Sequence, residues 1–167
     1  MNLMTMKQFS LKARRRIIRV FTGAIIINLI SNIVLYHPYE ITYFNELVGG
    51  VKGAMGKFDL DYWGTSQKQA VLWVNEHAPK NSKVVIVMSG DVSGKFLRQD
   101  LLQHLNSVPI DQADYVILLN RVSFFYRYWV GEYVLTHKPI HTIDVLGVPL
   151  TFIYDNKTGV PRMNQWW

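Results

Sequence analysis

The chain has 167 residues with 18 Lys and Arg, 12 Asp and Glu, no cysteine and a pI near 9.5. Six basic residues, Lys7, Lys12, Arg14, Arg15, Arg16 and Arg19, precede the first acidic residue, Glu40, so the formal excess of +6 lies in the first 19 residues and the remainder carries 12 charges of each sign. A nucleic-acid-binding face, which needs positive charge spread over the folded surface, loses its support, and the lack of cysteine excludes a disulfide framework or a thiolate metal site.

After the basic tail (residues 1–16), the run IIRVFTGAIIINLISNIVLY from Ile17 to Tyr36 has the roughly 20 residues that a helix needs to cross a hydrocarbon core of about 30 Å. It ends in Leu35-Tyr36-His37-Pro38 instead of a small-residue cleavage site, which predicts an uncleaved anchor. The positive-inside bias then predicts a single-pass protein of the cell membrane, with a cytoplasmic N-terminus and an external or periplasmic C-terminal domain. Thr22, Asn28, Ser31 and Asn32 interrupt the run, with Ser31 and Asn32 three and four residues after Asn28; they suit contact with other membrane helices, or one helix simply tolerates them.

Residues 37–64 are rich in glycine and aromatics without clear periodicity, which predicts a membrane-proximal connection with at most short helical turns. The external α/β domain is expected over 65–167, a normal size for a single core. Ser66 followed by Gln69 reads as a capping box, Ala70, Trp73, Val74 and His77 fall at helical spacing, and Pro79 stops that helix. Lys83–Ser89 and Asp114–Asn120 read as buried strands. A second helix is expected over about 93–105 and a third over about 123–136, the latter carrying Phe124, Phe125, Tyr128, Trp129 and Tyr133. His141–Leu146 and Pro149–Tyr154, separated by Gly147-Val148, suggest a hairpin. Strands alternating with helices predict a small three-layer α/β sandwich with a mainly parallel sheet and a C-terminal β-hairpin.

Several residues of the segment from His37 to Pro79 are jointly distinctive: His37-Pro38-Tyr39, Tyr43-Phe44-Asn45, Gly49-Gly50, and Asp61-Tyr62-Trp63-Gly64 leading into a helix with Trp73 and Asn75. With the later Gly147-Val148-Pro149-Leu150, this pattern resembles the last membrane helix and external domain of prokaryotic polytopic glycosyltransferases of the family 39-like type, related to dolichyl-phosphate-mannose protein mannosyltransferases. The resemblance covers most of the chain from Arg14 onward. It implies sugar transfer from a polyprenyl-phosphate donor on the outer side of the membrane, by a catalytic acid in an early external loop of a multi-helix region. That region has no counterpart here. The expectation is a C-terminal fragment, split-gene product or accessory derived from such an enzyme, with membrane lipid, other transmembrane helices and a glycan or lipid-linked sugar as partners. A non-enzymatic accessory module that binds an envelope glycan or a membrane-protein partner is the alternative.

No catalytic set is readable, and the substrate-binding candidates are His37, Tyr39, Asn45, Asp59, Asp61, Tyr62 and Trp63. Asp59 and Asp61 beside two rings have the chemistry of a sugar site, carboxylates for hydroxyls and rings for apolar sugar faces, and either could act as a general base. The competing reading is that both acids cap turns while the rings seal the core. His37 could touch a lipid phosphate, although His37, Tyr39, Tyr43 and Phe44 equally suit an interfacial aromatic belt. The aromatic residues of the third helix pose the same choice between core or membrane contact and sugar stacking. Met88–Lys95 follows a strand and opens a helix, yet it is one residue short of a phosphate loop, lacks Ser or Thr after Lys95 and puts Asp91 where phosphate would approach, so an ordinary strand-to-helix turn is expected. His137 and His141 are kept off one helical face by Pro139, so no metal or cofactor site is expected. Asn156-Lys157-Thr158 fits the glycosylation sequon by chance.

Overall fold

The computed structural model describes residues 3–126 and 129–157. The chain forms two compact units, Met1–Glu40 and Ile41–Trp167.

The first unit is helix α1, Leu3–Tyr36. Nothing breaks it, because the first proline of the chain is Pro38 and the residue before a proline is pushed out of the helical region. Within it, Leu11–Tyr36 contains an apolar stretch and, at 26 residues or about 39 Å at the helical rise, is long and apolar enough to cross a membrane. Ile17, Phe21, Ile27 and Val34 are exposed. Two of the polar residues satisfy each other: Asn32 Nδ2 donates to Asn28 Oδ1 at 3.0 Å.

The second unit is built on a four-stranded sheet in the order β1 (Val84–Val87), β2 (Tyr115–Leu119), β4 (Val148–Asp155), β3 (His141–Val145). Only β1 and β2 run parallel; β2–β4 and β3–β4 are antiparallel, so the sheet is mixed where the strand pattern suggested mainly parallel pairing. The reason lies in the last two strands. Leu146 and Gly147, at φ 51° and 77°, form a two-residue turn of the type that matches strand twist, and it folds β4 back between β3 and β2. Val148 pairs with Val145 and belongs to the strand, not to the turn. β4 buries Val148, Leu150, Thr151, Ile153 and Tyr154 and takes a central place, whereas β3, with Asp144 exposed, takes the edge.

Helix α3 (Gln67–His77) packs on the face of Ile117 and Ile153, where Trp73 stacks on His141 with ring centroids 4.8 Å apart. The opposite face, with Val85, Val87, Val116, Leu118 and Tyr154, forms one core with Val130, Tyr133 and Val134 of helix α7 (Trp129–Thr136).

The expected second helix is in pieces: α4 (Gly90–Ser93), a 3₁₀ turn to Phe96, and α5 (Gln99–Leu102). Arg98 explains the break. Its extended backbone lets its N–H donate to Asn75 Oδ1, while its guanidinium reaches the carbonyls of Asn75, Ala78 and Pro79 and so satisfies the C-terminal end of α3. The expected third helix is represented by α6 (Val122–Phe125) and α7; Tyr128 lies outside the described residues. The stretch read as a connection contains a 3₁₀ turn at Glu40–Thr42 and helix α2 (Gly50–Ala54). From Ile41 onward it belongs to the domain, because Val51, Ala54, Leu60 and Asp61 are all buried.

Candidate functional site

Asp61 is fully buried and accepts four hydrogen bonds. Its Oδ1 takes the Thr65 N–H and hydroxyl, both at 2.9 Å, and its Oδ2 takes the Ser66 N–H at 2.8 Å and hydroxyl at 2.7 Å. The opening of a helix has backbone N–H groups without intrahelical partners, and this carboxylate supplies acceptors there from four and five residues upstream. The capping box expected at Ser66 and Gln69 is therefore not what opens α3: Ser66 itself is helical in conformation and makes no cap bond. Its hydroxyl instead lies 2.6 Å from that of Thr151, joining the helix start to β4.

Asp59 performs the same task for α6. Its Oδ1 accepts the Ser123 N–H at 2.9 Å, and its Oδ2 accepts the Ser123 hydroxyl at 2.7 Å and the Arg121 guanidinium at 3.2 and 3.3 Å. Burial pushes the Asp59 carboxyl up, but the bonds from Ser123 and the charge of Arg121 outweigh it and hold the group below its ordinary value. The helix-capping reading of both acids describes this geometry, and neither carboxylate is left free beside the rings.

The rings themselves do not seal the core. Trp63 is 71% exposed and Tyr62 58%, packed edge to face with centroids 5.3 Å apart. The guanidinium of Arg121 sits 4.4 Å from the Tyr62 centroid and 5.4 Å from that of Phe124, so cation–π contact and the Asp59 ion pair fix its position together. Gly64 closes the segment at φ 70°, a left-handed conformation; a Cβ there would lie 3.1 Å from Gln67 Oε1 and 3.4 Å from Leu119 Cδ1. In Asp61-Tyr62-Trp63-Gly64, folding thus accounts for the acid and the glycine, and Tyr62 has Arg121 beneath it. Trp63 is the residue whose exposure folding leaves unexplained.

The remaining candidates lie apart from this group. His37 is exposed with its Nδ1 2.7 Å from Glu40 Oε1. Glu40 is held below its ordinary value by its own backbone N–H and by His37. Tyr39 is buried, and Asn45 builds a turn, its Oδ1 and backbone oxygen both accepting the Val48 N–H at 3.2 Å. Phe44 packs on Phe58 with centroids 5.7 Å apart. The sequence pattern missed Arg121 and Ser123, which come from 62 and 64 residues beyond Asp59. The one signal for them was position, immediately after a buried parallel strand, at whose carboxyl end α/β sheets gather their polar groups.

Three other motifs resolve into structure. Met88 and Ser89 turn from β1 into α4 with φ 68° and 53°, and the Met88 carbonyl accepts Gln67 Nε2 at 2.9 Å, an ordinary if tight turn. His141 stacks on Trp73 while His137 stacks on Tyr133, and among the described residues no group of three or more His, Cys, Asp or Glu could hold a metal. Asn156 of the sequon donates to the Ile110 and Ala113 carbonyls and accepts the Tyr133 hydroxyl. No family model matches the chain, and no curated protein or solved structure matches it either.

Proposed function

We propose that the chain is the membrane-anchored, externally facing C-terminal part of a polytopic glycosyltransferase of the family 39-like type, assisting in the handling of acceptor or polyprenyl-phosphate donor while the catalytic acid resides in another polypeptide region. The observation that carries this reading is the state of the two acids in the motif: Asp59 and Asp61 each accept hydrogen bonds on both oxygens and serve as helix caps. A scaffold whose signature residues fold the domain fits a part that supports chemistry performed elsewhere. The arginine cluster before the span favours a cytoplasmic tail, and Asn28 and Asn32 offer polar contact to other helices in the bilayer. The finer description of the domain as a three-layer α/β sandwich takes its support from α3 and α7 lying on opposite faces of the sheet.

The test begins with the DNA upstream of Met1. An adjacent frame encoding many apolar spans, with an acid in its first external loop, is expected. The chain alone, given a polyprenyl-phosphate sugar and an acceptor extract, should show no transfer, and coexpression with that neighbour should raise it. Turnover by the chain alone that Asp61→Ala abolishes would overturn the proposal. The second reading, an accessory module binding an envelope glycan, draws on the exposed Tyr62–Trp63 pair; an unrelated upstream neighbour would favour it.

A further inference from the structure

We infer that the face made by residues 56–63 with α6 and α7 is a bilayer-docking surface, occupied by the boundary between lipid headgroups and acyl chains. The inference rests on the membrane-anchor reading of α1. Five large side chains of this face are exposed: Phe58 47%, Tyr62 58%, Trp63 71%, Tyr126 81% and Leu135 58%. They belong to one surface, because Asp59 binds Arg121 and Ser123 at the start of α6, Arg121 lies against Tyr62, and Gly56 lines a cavity of about 280 Å³ together with Val122, Phe125, Tyr126, Val134 and Leu135. That cavity is apolar and open enough to receive the end of a hydrocarbon chain.

Two observations select the bilayer as occupant. First, the polar groups beside the rings are engaged with one another: Asp59 with Arg121 and Ser123, Asp61 with Thr65 and Ser66. A sugar needs hydroxyl partners as well as rings, and here the acids that would supply them are already engaged in holding helix starts. Rings with an apolar body and a polar tip, set among aliphatic neighbours, have the composition found at membrane interfaces. Second, the domain that carries the face is held to the apolar helix by a short tether. The domain begins at Ile41, five residues past the end of α1, a tether of at most roughly 17 Å of extended chain.

The chain has no cysteine, so single cysteines carry a nitroxide label without competition. The full chain is reconstituted in vesicles of phosphatidylcholine and phosphatidylglycerol with the label at Trp63→Cys, Tyr126→Cys, Ile26→Cys or Lys80→Cys, the last in the turn before β1. Relaxation by oxygen, which partitions into lipid, is compared with relaxation by a water-soluble nickel complex. Positions 63 and 126 should favour oxygen severalfold over position 80, and position 26 more strongly still. Phe58→Cys replaces either variant that fails to fold. Immersion at 26 with positions 63 and 126 as aqueous as 80 would overturn docking and leave the anchor standing. An aqueous position 26 would sink both. Labels at 63 and 126 that are aqueous until an envelope oligosaccharide shields them would make the face a glycan site and refute the inference.

Discussion

Replacing Asp61 by alanine is the sharpest perturbation of this domain, because one buried carboxylate answers two backbone N–H groups and two hydroxyls. Hydrogen bonds to a charged acceptor contribute about 1.5–3 kcal/mol each, and a buried donor left without a partner costs about 1–3 kcal/mol. The four bonds are not additive. Thr65 is exposed and can turn to water, whereas Ser66 is fully buried and cannot, so the loss is dominated by the Ser66 pair together with the opening of α3. An estimate of about 3–4 kcal/mol follows, above the about 1–2 kcal/mol of a helix cap alone. Urea unfolding of the full chain in detergent micelles, read by far-ultraviolet circular dichroism and tryptophan fluorescence, measures it. Asp61→Asn, which keeps one acceptor oxygen, should lose about half as much. If Asp61→Ala changed stability by less than about 0.5 kcal/mol, the loss expected of an ordinary surface change, the structural role assigned to this acid would be refuted.

Gly64→Ala should cost about 1–2 kcal/mol by the same assay, since its φ of 70° and the crowding by Gln67 and Leu119 both oppose a side chain; an unchanged midpoint would contradict that geometry. Arg98→Lys should cost about 1–2 kcal/mol, because a point charge cannot span the carbonyls that end α3 while also holding Asp100, and an unaffected Arg98→Lys would show the fork to be dispensable. A fragment beginning at Thr65 should fail to give a cooperative transition and one beginning at Ile41 should give it, since the first lacks Val51, Leu60 and both capping acids; a cooperatively folded shorter fragment would overturn the boundary at Ile41. The guanidinium of Arg98 and the Asn81 N–H hold the Asp100 carboxyl at about 2, below its ordinary 3.8. A depressed folded value means stability present above the unfolded value and lost as pH falls through the folded one, so the Asp100→Asn penalty seen at pH 6 should fade between about pH 4 and pH 2 in thermal melts. A penalty that persisted undiminished at pH 2 would remove the ion pair as its cause.

The linear order of residues was enough for the long N-terminal apolar helix, the main strands and helix α3. Those depend on local properties: a long apolar run flanked by arginines, short buried strands such as Val84–Val87 and Tyr115–Leu119, and a helix between Gly64 and Pro79. Sheet direction was not local. Strand alternation with helices suggested parallel neighbours, but which strand sits beside β2 was decided by the competition between β3 and β4 for the central place, and the more fully apolar β4 won it through a tight turn. The long helix expected over about 93–105 was broken by Arg98, whose partners on α3 and in the residues that follow it lie 19 to 23 residues away. The candidate site divides along the same line. Its two acids and two rings stood together in the sequence, and their spacing alone could not separate a sugar site from a pair of helix caps. Only the approach of Arg121 and Ser123 from 62 and 64 residues beyond Asp59, and the burial of Asp61 against Ser66, decided that the carboxylates are engaged while Trp63 remains exposed. Hydrogen-bond satisfaction inside a folded chain is a property of groups brought together by the whole fold, and a linear pattern does not contain it.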